Sequence, residues 1–133
     1  MYAALLQIGS WWDPEHTFSG DAHNMSLDAR AGGCFCERLA DQGSVQHMDR
    51  RIRRRGARTT DAGALGPLQT VVASGSMAWK LFPEANGTRL ELTYNVGGYR
   101  PGGLAELATP VDSVLRAQLL CLKSFVETGK PET

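Results

Sequence analysis

The hydrophobic pattern of residues 109–128 predicts a long helix at the C-terminal end of the chain. Apolar side chains recur there at spacings of three, four and seven residues, which places them on one helical face. This face consists of Val111, Val114, Leu115, Leu119, Leu122, Phe125 and Val126. Thr109 is the predicted N-cap, Pro110 suits the first helical position, and Gly129 is expected to end the helix.

Strict alternation of apolar and polar residues predicts two long strands before this helix, at residues 70–82 and 88–96. The alternating apolar residues are Met77, Trp79, Leu81, Leu90, Leu92 and Tyr94. Such alternation indicates an antiparallel sheet with one buried face and one solvated face. The intervening segment PEANG at 83–87 has the residue types of a hairpin turn.

The N-terminal part of the chain predicts shorter elements. Residues 2–8 suggest a short helix that stops at Gly9, and residues 11–22 are expected to be irregular. Two short strands are predicted at 24–27 and 34–39. The order of helix, loop, antiparallel strands and long helix is typical of the α+β class.

Residues 49–63 break the pattern. No alternation is visible there, Ile52 is the only large apolar residue, and residues 50–58 contain six arginines. Because arginine cannot be buried without a partner, we expect this part of the sheet to be exposed, distorted or disordered.

Length and composition indicate one soluble domain spanning residues 1–133, with a tail at 130–133. No apolar run reaches the roughly 18 residues of a membrane span. Three cysteines favour a reducing compartment, so a cytoplasmic location is expected. The net charge is zero, and the chain outside the arginine run is acidic, so nucleic-acid binding is not expected.

The sequence contains no strong catalytic motif, and we predict neither a cofactor nor a metal site. Cys34 and Cys36 lie two apart on one strand face, where they could join His16, His23 or His47 around zinc. The simpler interpretation, which we prefer, is that both are small hydrophobic side chains within the sheet.

Two motifs carry a family resemblance: Gly32, Gly33, Phe35 and Glu37 in a turn and strand, and Thr88, Leu90, Leu92 and Thr93 in a later strand. With them the chain resembles the START-like (SRPBCC) superfamily, in the branch of homologues of the activator of the heat-shock-90 ATPase. The resemblance implies a helix-grip fold, in which a curved antiparallel sheet wraps around the long C-terminal helix and encloses a cavity. Members of this family open with a strand, whereas this chain begins within the first helix, so the resemblance leads us to expect that the first strand of the fold is missing.

The resemblance implies that the chain binds a small hydrophobic molecule. We expect the ligand-binding residues to be Trp12, His16, Met77, Trp79, Leu92 and Tyr94. Trp12 and His16 could instead have a purely structural role at the end of the sheet. One alternative is an enzyme of cyclase, dehydratase or hydrolase type that uses the same cavity, and another is a co-chaperone-like interaction protein.

The enzyme alternative has acid–base candidates but no assigned catalytic residues. These candidates are Asp13, His16, His47 and Tyr94. Either His47 or Met48 is expected to face inward, and the sequence leaves open which one. A homodimer through an exposed sheet edge is a further prediction.

Overall fold

The computed structural model describes residues 1–54, 58–64, 68–69 and 72–131, and for residues 52–54 and 72 it describes only the backbone. Helices α1 (Tyr2–Leu6) and α2 (Ile8–Trp11) come first and helix α3 (Ala108–Thr128) comes last. Between them lie strands β1 (Met25–Leu27), β2 (Cys34–Arg38), β3 (Ser44–Arg54), β4 (Arg58–Ala62), β5 (Val72–Glu84) and β6 (Gly87–Tyr99). Short 3-10 turns occupy Pro14–His16, Ala22–Asn24 and Ala105–Leu107.

The six strands form one antiparallel sheet in which each strand pairs with its neighbour in sequence, in the order β1-β2-β3-β4-β5-β6. The predicted α+β class, the antiparallel sheet and the C-terminal helix are therefore confirmed. None of the described helices is long and apolar enough to cross a membrane.

The β5–β6 hairpin buries the apolar face that the sequence predicts. Met77 lies opposite Tyr94, Trp79 opposite Leu92, and Leu81 opposite Leu90. The three β5 residues are buried and their partners on β6 are half-buried. Pairing continues to Glu84 and Gly87, which leaves a two-residue turn. β5 therefore ends two residues later than predicted, and β6, at thirteen residues, is longer than predicted. Residues 70 and 71 of the predicted strand lie outside the described residues.

The arginine-rich segment is the main correction to the sequence-based fold. Residues 44–54 and 58–62 form β3 and β4 in the middle of the sheet, and Arg50 is only 1% exposed. Its Nε donates to Oδ1 of Asp61 at 2.8 Å, and Nη2 lies 3.4 Å from Oδ2. The expectation of an exposed or distorted segment is wrong at this pair because the register brings an acid directly opposite the arginine. Residues 55–57 of the segment lie outside the description.

The helix ends differ in detail from the predictions. The first helix continues as α2 beyond Gly9, where a Cβ would come within 3.0 Å of the Met25 carbonyl oxygen, so this glycine permits close packing. Helix α3 begins at Ala108 with Leu107 at the N-cap and no side-chain capping bond, so Thr109 is not the cap. Gly129 ends α3 in the left-handed conformation, as predicted, with φ of 81°.

The hydrophobic core lies between the sheet, the two N-terminal helices and α3. Its buried members are Leu5, Ile8, Trp11, Trp12, Ala22, Met25, Phe35, Met48, Met77, Trp79, Leu115 and Leu122. Leu115 and Leu122 belong to the apolar face of α3 that the sequence predicts. The inner face of the sheet is therefore the face directed towards α3.

Candidate ligand cleft

A β-bulge in β3 places His47 at the candidate site. Phe35 pairs with Met48 and Cys36 pairs with Gln46, which leaves His47 as the extra residue on β3. A bulge interrupts the normal alternation of side chains and re-aims one of them. Both His47 and Met48 are buried as a result, at 4% and 1% exposure. The expectation that only one of them faces inward is therefore wrong.

A buried carboxylate holds the His47 ring. Oε1 of Glu37 lies 3.0 Å from Nε2 of His47, and Glu37 is fully buried. The backbone N–H groups of Phe18 and Ser19 also donate to the Glu37 carboxylate, at 3.2 and 2.6 Å. Burial by itself raises the pKa of Glu37, but hydrogen bonds from Ser19, His47 and Phe18 outweigh it and leave the pKa below its ordinary value. Glu37 is thus ionised at neutral pH.

Aromatic rings pack on the His47 imidazole. The Phe18 ring stacks on it, with centroids 5.7 Å apart and planes 14° apart, and the Phe35 ring lies 5.2 Å away. Phe18 is itself 55% exposed. The Nδ1 atom of His47 is buried and has no hydrogen-bonding partner among the described residues. One polar atom of this ring is therefore satisfied and the other is not.

A second histidine is held from α3. Gln118 is fully buried, its Oε1 lies 2.9 Å from the backbone nitrogen of Asp13, and its Nε2 lies 2.9 Å from Nδ1 of His16. Oδ2 of Asp13 lies 3.4 Å from the same Nδ1. The His16 carbonyl accepts a hydrogen bond from the Trp12 indole at 3.1 Å. These contacts fix the loop after α2 against the middle of α3.

Both histidines line one cleft of about 370 Å³ between this loop, β3 and the first half of α3. Its described wall consists of Trp12, Glu15, His16, Thr17, Phe18, His47, Leu68, Leu107, Pro110, Val111, Val114 and Leu115. Most of these side chains are apolar, and the described wall contains neither lysine nor arginine. Apolar walls with a few placed polar groups are typical of small-molecule sites.

A second, larger cleft of about 900 Å³ lies between α3 and β6. Leu92, Tyr94 and Val96 contribute to it from the sheet. The two clefts share four residues, namely Leu68, Leu107, Val111 and Leu115. They are therefore neighbours on either side of the first half of α3.

The predicted ligand-binding residues are divided between these places. Trp12 and His16 line the smaller cleft, and Leu92 and Tyr94 line the larger one. Met77 and Trp79 are buried in the core and are not among the described lining residues of either cleft. The structure thus does not bring all six residues to one surface.

The hydroxyl of the half-buried Tyr94 has a hydrogen-bonding partner. It donates to the carbonyl oxygen of Gly63 at 3.0 Å. Its ring lies where a side chain of Gly75 would be, since a Cβ on Gly75 would come within 2.7 Å of Cε1 of Tyr94. Tyr94 therefore connects the end of β4 with β5 and β6, in addition to lining the larger cleft.

The structure brings the side chains of Cys34 and Cys36 into contact, with Cα atoms 5.4 Å apart. Both are half-buried within β2, and the interpretation as small hydrophobic side chains within the sheet stays a prediction. Alternation directs both side chains to one face of β2, and the register shift between Phe35 and Cys36 accompanies their close approach. Among the described residues, no cluster of three or more His, Cys, Asp or Glu side chains could hold a metal ion.

Sequence reasoning missed Glu37, Gln118 and Phe18 as site residues. Two of them carry a recognisable signal, since a polar residue interrupts an apolar face. Glu37 lies two residues after the buried Phe35, and Gln118 lies between Leu115 and Leu122 on the apolar stripe of α3. Phe18 has no such signal because its role depends on the fold of an irregular loop.

A scan against models of known protein families found no match for this chain, and a search of curated proteins also found none.

Proposed function

We propose that this protein binds a small, largely apolar molecule in the cleft of about 370 Å³ beneath α3. The observation that carries the proposal is the wall of this cleft, in which apolar side chains surround two histidines. Glu37 holds the ring of His47 by a hydrogen bond, and Gln118 holds the ring of His16. The resemblance to the START-like superfamily and its helix-grip fold supports the same function and is part of the proposal. The order of the sheet and the position of α3 are compatible with that fold.

A native mass spectrum of gently purified protein tests the proposal directly. We expect extra mass of a few hundred daltons that is lost on denaturation. A bare mass, together with failure to bind apolar probes such as naphthalene, would contradict ligand binding.

A pair of variants on α3 locates the binding site. Val114 is half-buried and lines the cleft, so Val114→Trp should fill it and abolish the retained mass. Leu120 is on the same helix but is 50% exposed, so Leu120→Trp should leave the retained mass unchanged. Equal retention by the two variants would place the ligand elsewhere.

An enzyme that uses the same cleft is the second candidate, and the His47–Glu37 pair favours it. A carboxylate that orients one ring nitrogen of a histidine leaves the other nitrogen able to accept a proton. His47→Phe would then abolish turnover of the retained molecule. Turnover by the variant at the rate of the parent protein would exclude this role for His47.

The cytoplasmic location and the homodimer stay predictions. β1 and β6 are the two end strands of the described sheet, and each pairs with one neighbour, so a second copy would add at one of these edges. Sedimentation velocity at increasing concentration measures this association. A sedimentation coefficient that stays at the monomer value would contradict the homodimer.

A further inference from the structure

The orientation of the Gln118 amide determines where His16 carries its proton. The backbone N–H of Asp13 can only donate, so the atom of Gln118 that faces it must be the oxygen. The amide nitrogen of Gln118 therefore faces Nδ1 of His16 and donates to it. Neutral His16 must then hold its proton on Nε2, because Nδ1 is the acceptor.

Glu37 determines the proton position on His47 in the same way. An ionised carboxylate can only accept, so Nε2 of His47 donates to it and carries the proton. Neutral His47 is left with a bare lone pair on Nδ1, which is the atom without a partner among the described residues. A buried acceptor without a donor is destabilising, and a ligand that supplies the donor removes that defect.

The charges around the cleft argue against an anionic ligand. Glu15 lines the cleft, Asp13 lies against His16, and Glu37 lies behind His47. The described wall holds no lysine or arginine that could neutralise an anion. A carboxylate ligand would therefore face acidic groups without a compensating cation.

Resting on the proposed function, we infer that the ligand is a neutral apolar molecule with a hydroxyl group, such as a phenol or an alcohol, rather than a fatty acid or another carboxylate. The hydroxyl donates to Nδ1 of His47, and an oxygen acceptor on the ligand takes the Nε2–H of His16. Phe18 covers the His47 ring from a position that is more than half exposed, so it is the side chain that rearranges when the hydroxyl reaches Nδ1.

A matched series of probes tests this inference at pH 7 by titration calorimetry. The probes share one ring system: 2-naphthol donates a hydrogen bond, 2-methoxynaphthalene only accepts, 2-naphthoate is an anion, and naphthalene has no polar group. We expect 2-naphthol to bind at least tenfold more tightly than each of the other three. In His47→Phe, which keeps an aromatic ring between Phe18 and Phe35, 2-naphthol should bind only as well as naphthalene.

His23→Phe is the matched control because His23 lies outside the described cleft wall and its side chain is 86% exposed. It should keep the preference for 2-naphthol. Where His47→Phe fails to fold, two-bond ¹H–¹⁵N spectra of the parent protein replace it. These spectra should show a bare Nδ1 on His16 and His47, and 2-naphthol should shift the Nδ1 signal of His47.

The outcomes separate the two proposals. Binding of naphthalene and 2-naphthoate as tight as that of 2-naphthol would overturn the hydroxyl inference and leave the binding function standing. A proton on Nδ1 of either neutral histidine would also overturn the inference. Failure of every probe, naphthalene included, would overturn the proposed function itself.

Discussion

The two hairpins β3–β4 and β5–β6 contribute to the same inner face of one sheet, yet they fill it with different chemistry. β5 and β6 present Met77, Leu81 and Leu92, whose apolar side chains need only to be removed from water. β3 and β4 present the Arg50–Asp61 pair, and Asp61 lies directly opposite Met77 in the register. A charged pair and an apolar core thus occupy adjacent positions on one surface.

The difference shows that position in a sheet does not by itself require apolar residues. The apolar hairpin should tolerate substitution by other apolar side chains of similar size, because dispersion and the hydrophobic effect do not depend on direction. The polar hairpin depends on one specific geometry, since each charge is acceptable only while the other faces it. The two hairpins should therefore respond very differently to substitution.

The largest expected effect is the loss of one member of the buried ion pair. Asp61→Ala leaves the Arg50 guanidinium buried without its carboxylate and should lower the free energy of unfolding by about 3–5 kcal/mol. Urea unfolding measures this change. Combining Arg50→Met with Asp61→Leu should recover most of the loss, because no charge is then buried. Arg51→Ala is the control: the Arg51 side chain is 65% exposed, so its ion pair with the half-buried Asp49 should contribute less than about 1 kcal/mol.

Shortening an apolar side chain of the β5–β6 hairpin should also lower the free energy of unfolding, by an amount that depends on the lost volume rather than on one specific partner. Met77→Ala removes a buried side chain beside the ion pair and should lower the free energy of unfolding by about 2–5 kcal/mol. Met77→Leu should cost less than about 1.5 kcal/mol because the volume is nearly kept. Ser76→Ala, on the exposed face, should stay within about 0.5 kcal/mol. Equal effects at 76 and 77 would contradict the assigned faces.

Glu37 is a buried charge that is stabilised by hydrogen bonds rather than by an opposite arginine. Its substitution should lower the free energy of unfolding by less than loss of the ion pair does. Glu37→Gln should lower the free energy of unfolding at pH 7 by about 1–3 kcal/mol, because charged hydrogen bonds are lost. The pKa of Glu37 is lowered on folding, so its stabilising effect is complete above its ordinary value of 4.5 and is lost as the pH falls through the lowered pKa. The difference in the free energy of unfolding between the parent protein and Glu37→Gln should therefore become smaller below pH 4.5. A difference that grows as the pH falls would contradict the lowered pKa of Glu37.

The smallest expected effect comes from a hydroxyl on the inner face of β4. Thr59 lies opposite Trp79, and its Oγ1 is buried without a partner among the described residues. Thr59→Val should leave stability unchanged or raise it by about 1 kcal/mol, because an unsatisfied polar atom is removed. A thermal midpoint that falls by several degrees would show that the hydroxyl has a stabilising role.

The same contrast explains what could be predicted from the sequence. β5, β6 and α3 carry clear periodicities, and their buried faces were predicted correctly at Met77, Trp79 and Leu115. β3 and β4 were not predicted because burial of Arg50 depends on Asp61, eleven residues away on another strand. No pattern within β3 alone contains that information.

The site shows a similar division. Trp12 and His16 were predicted from a local cluster of aromatic and polar residues, and they line the cleft. The partner of His16 is Gln118, 102 residues later in the chain, and only the tertiary structure brings the two together. His47 reaches the cleft through a bulge, and a bulge is a property of the pairing between β2 and β3 rather than of either strand.

The edge position of β6 also determines how its backbone amides exchange with deuterium. In an antiparallel edge strand, alternate N–H groups donate to the neighbouring strand and the others point away from the sheet. Along the thirteen residues of β6, slow and fast amides should therefore alternate in the free protein. Any strand that adds to this edge, from a second copy or from another peptide, would convert the fast set into slow ones, residue by residue.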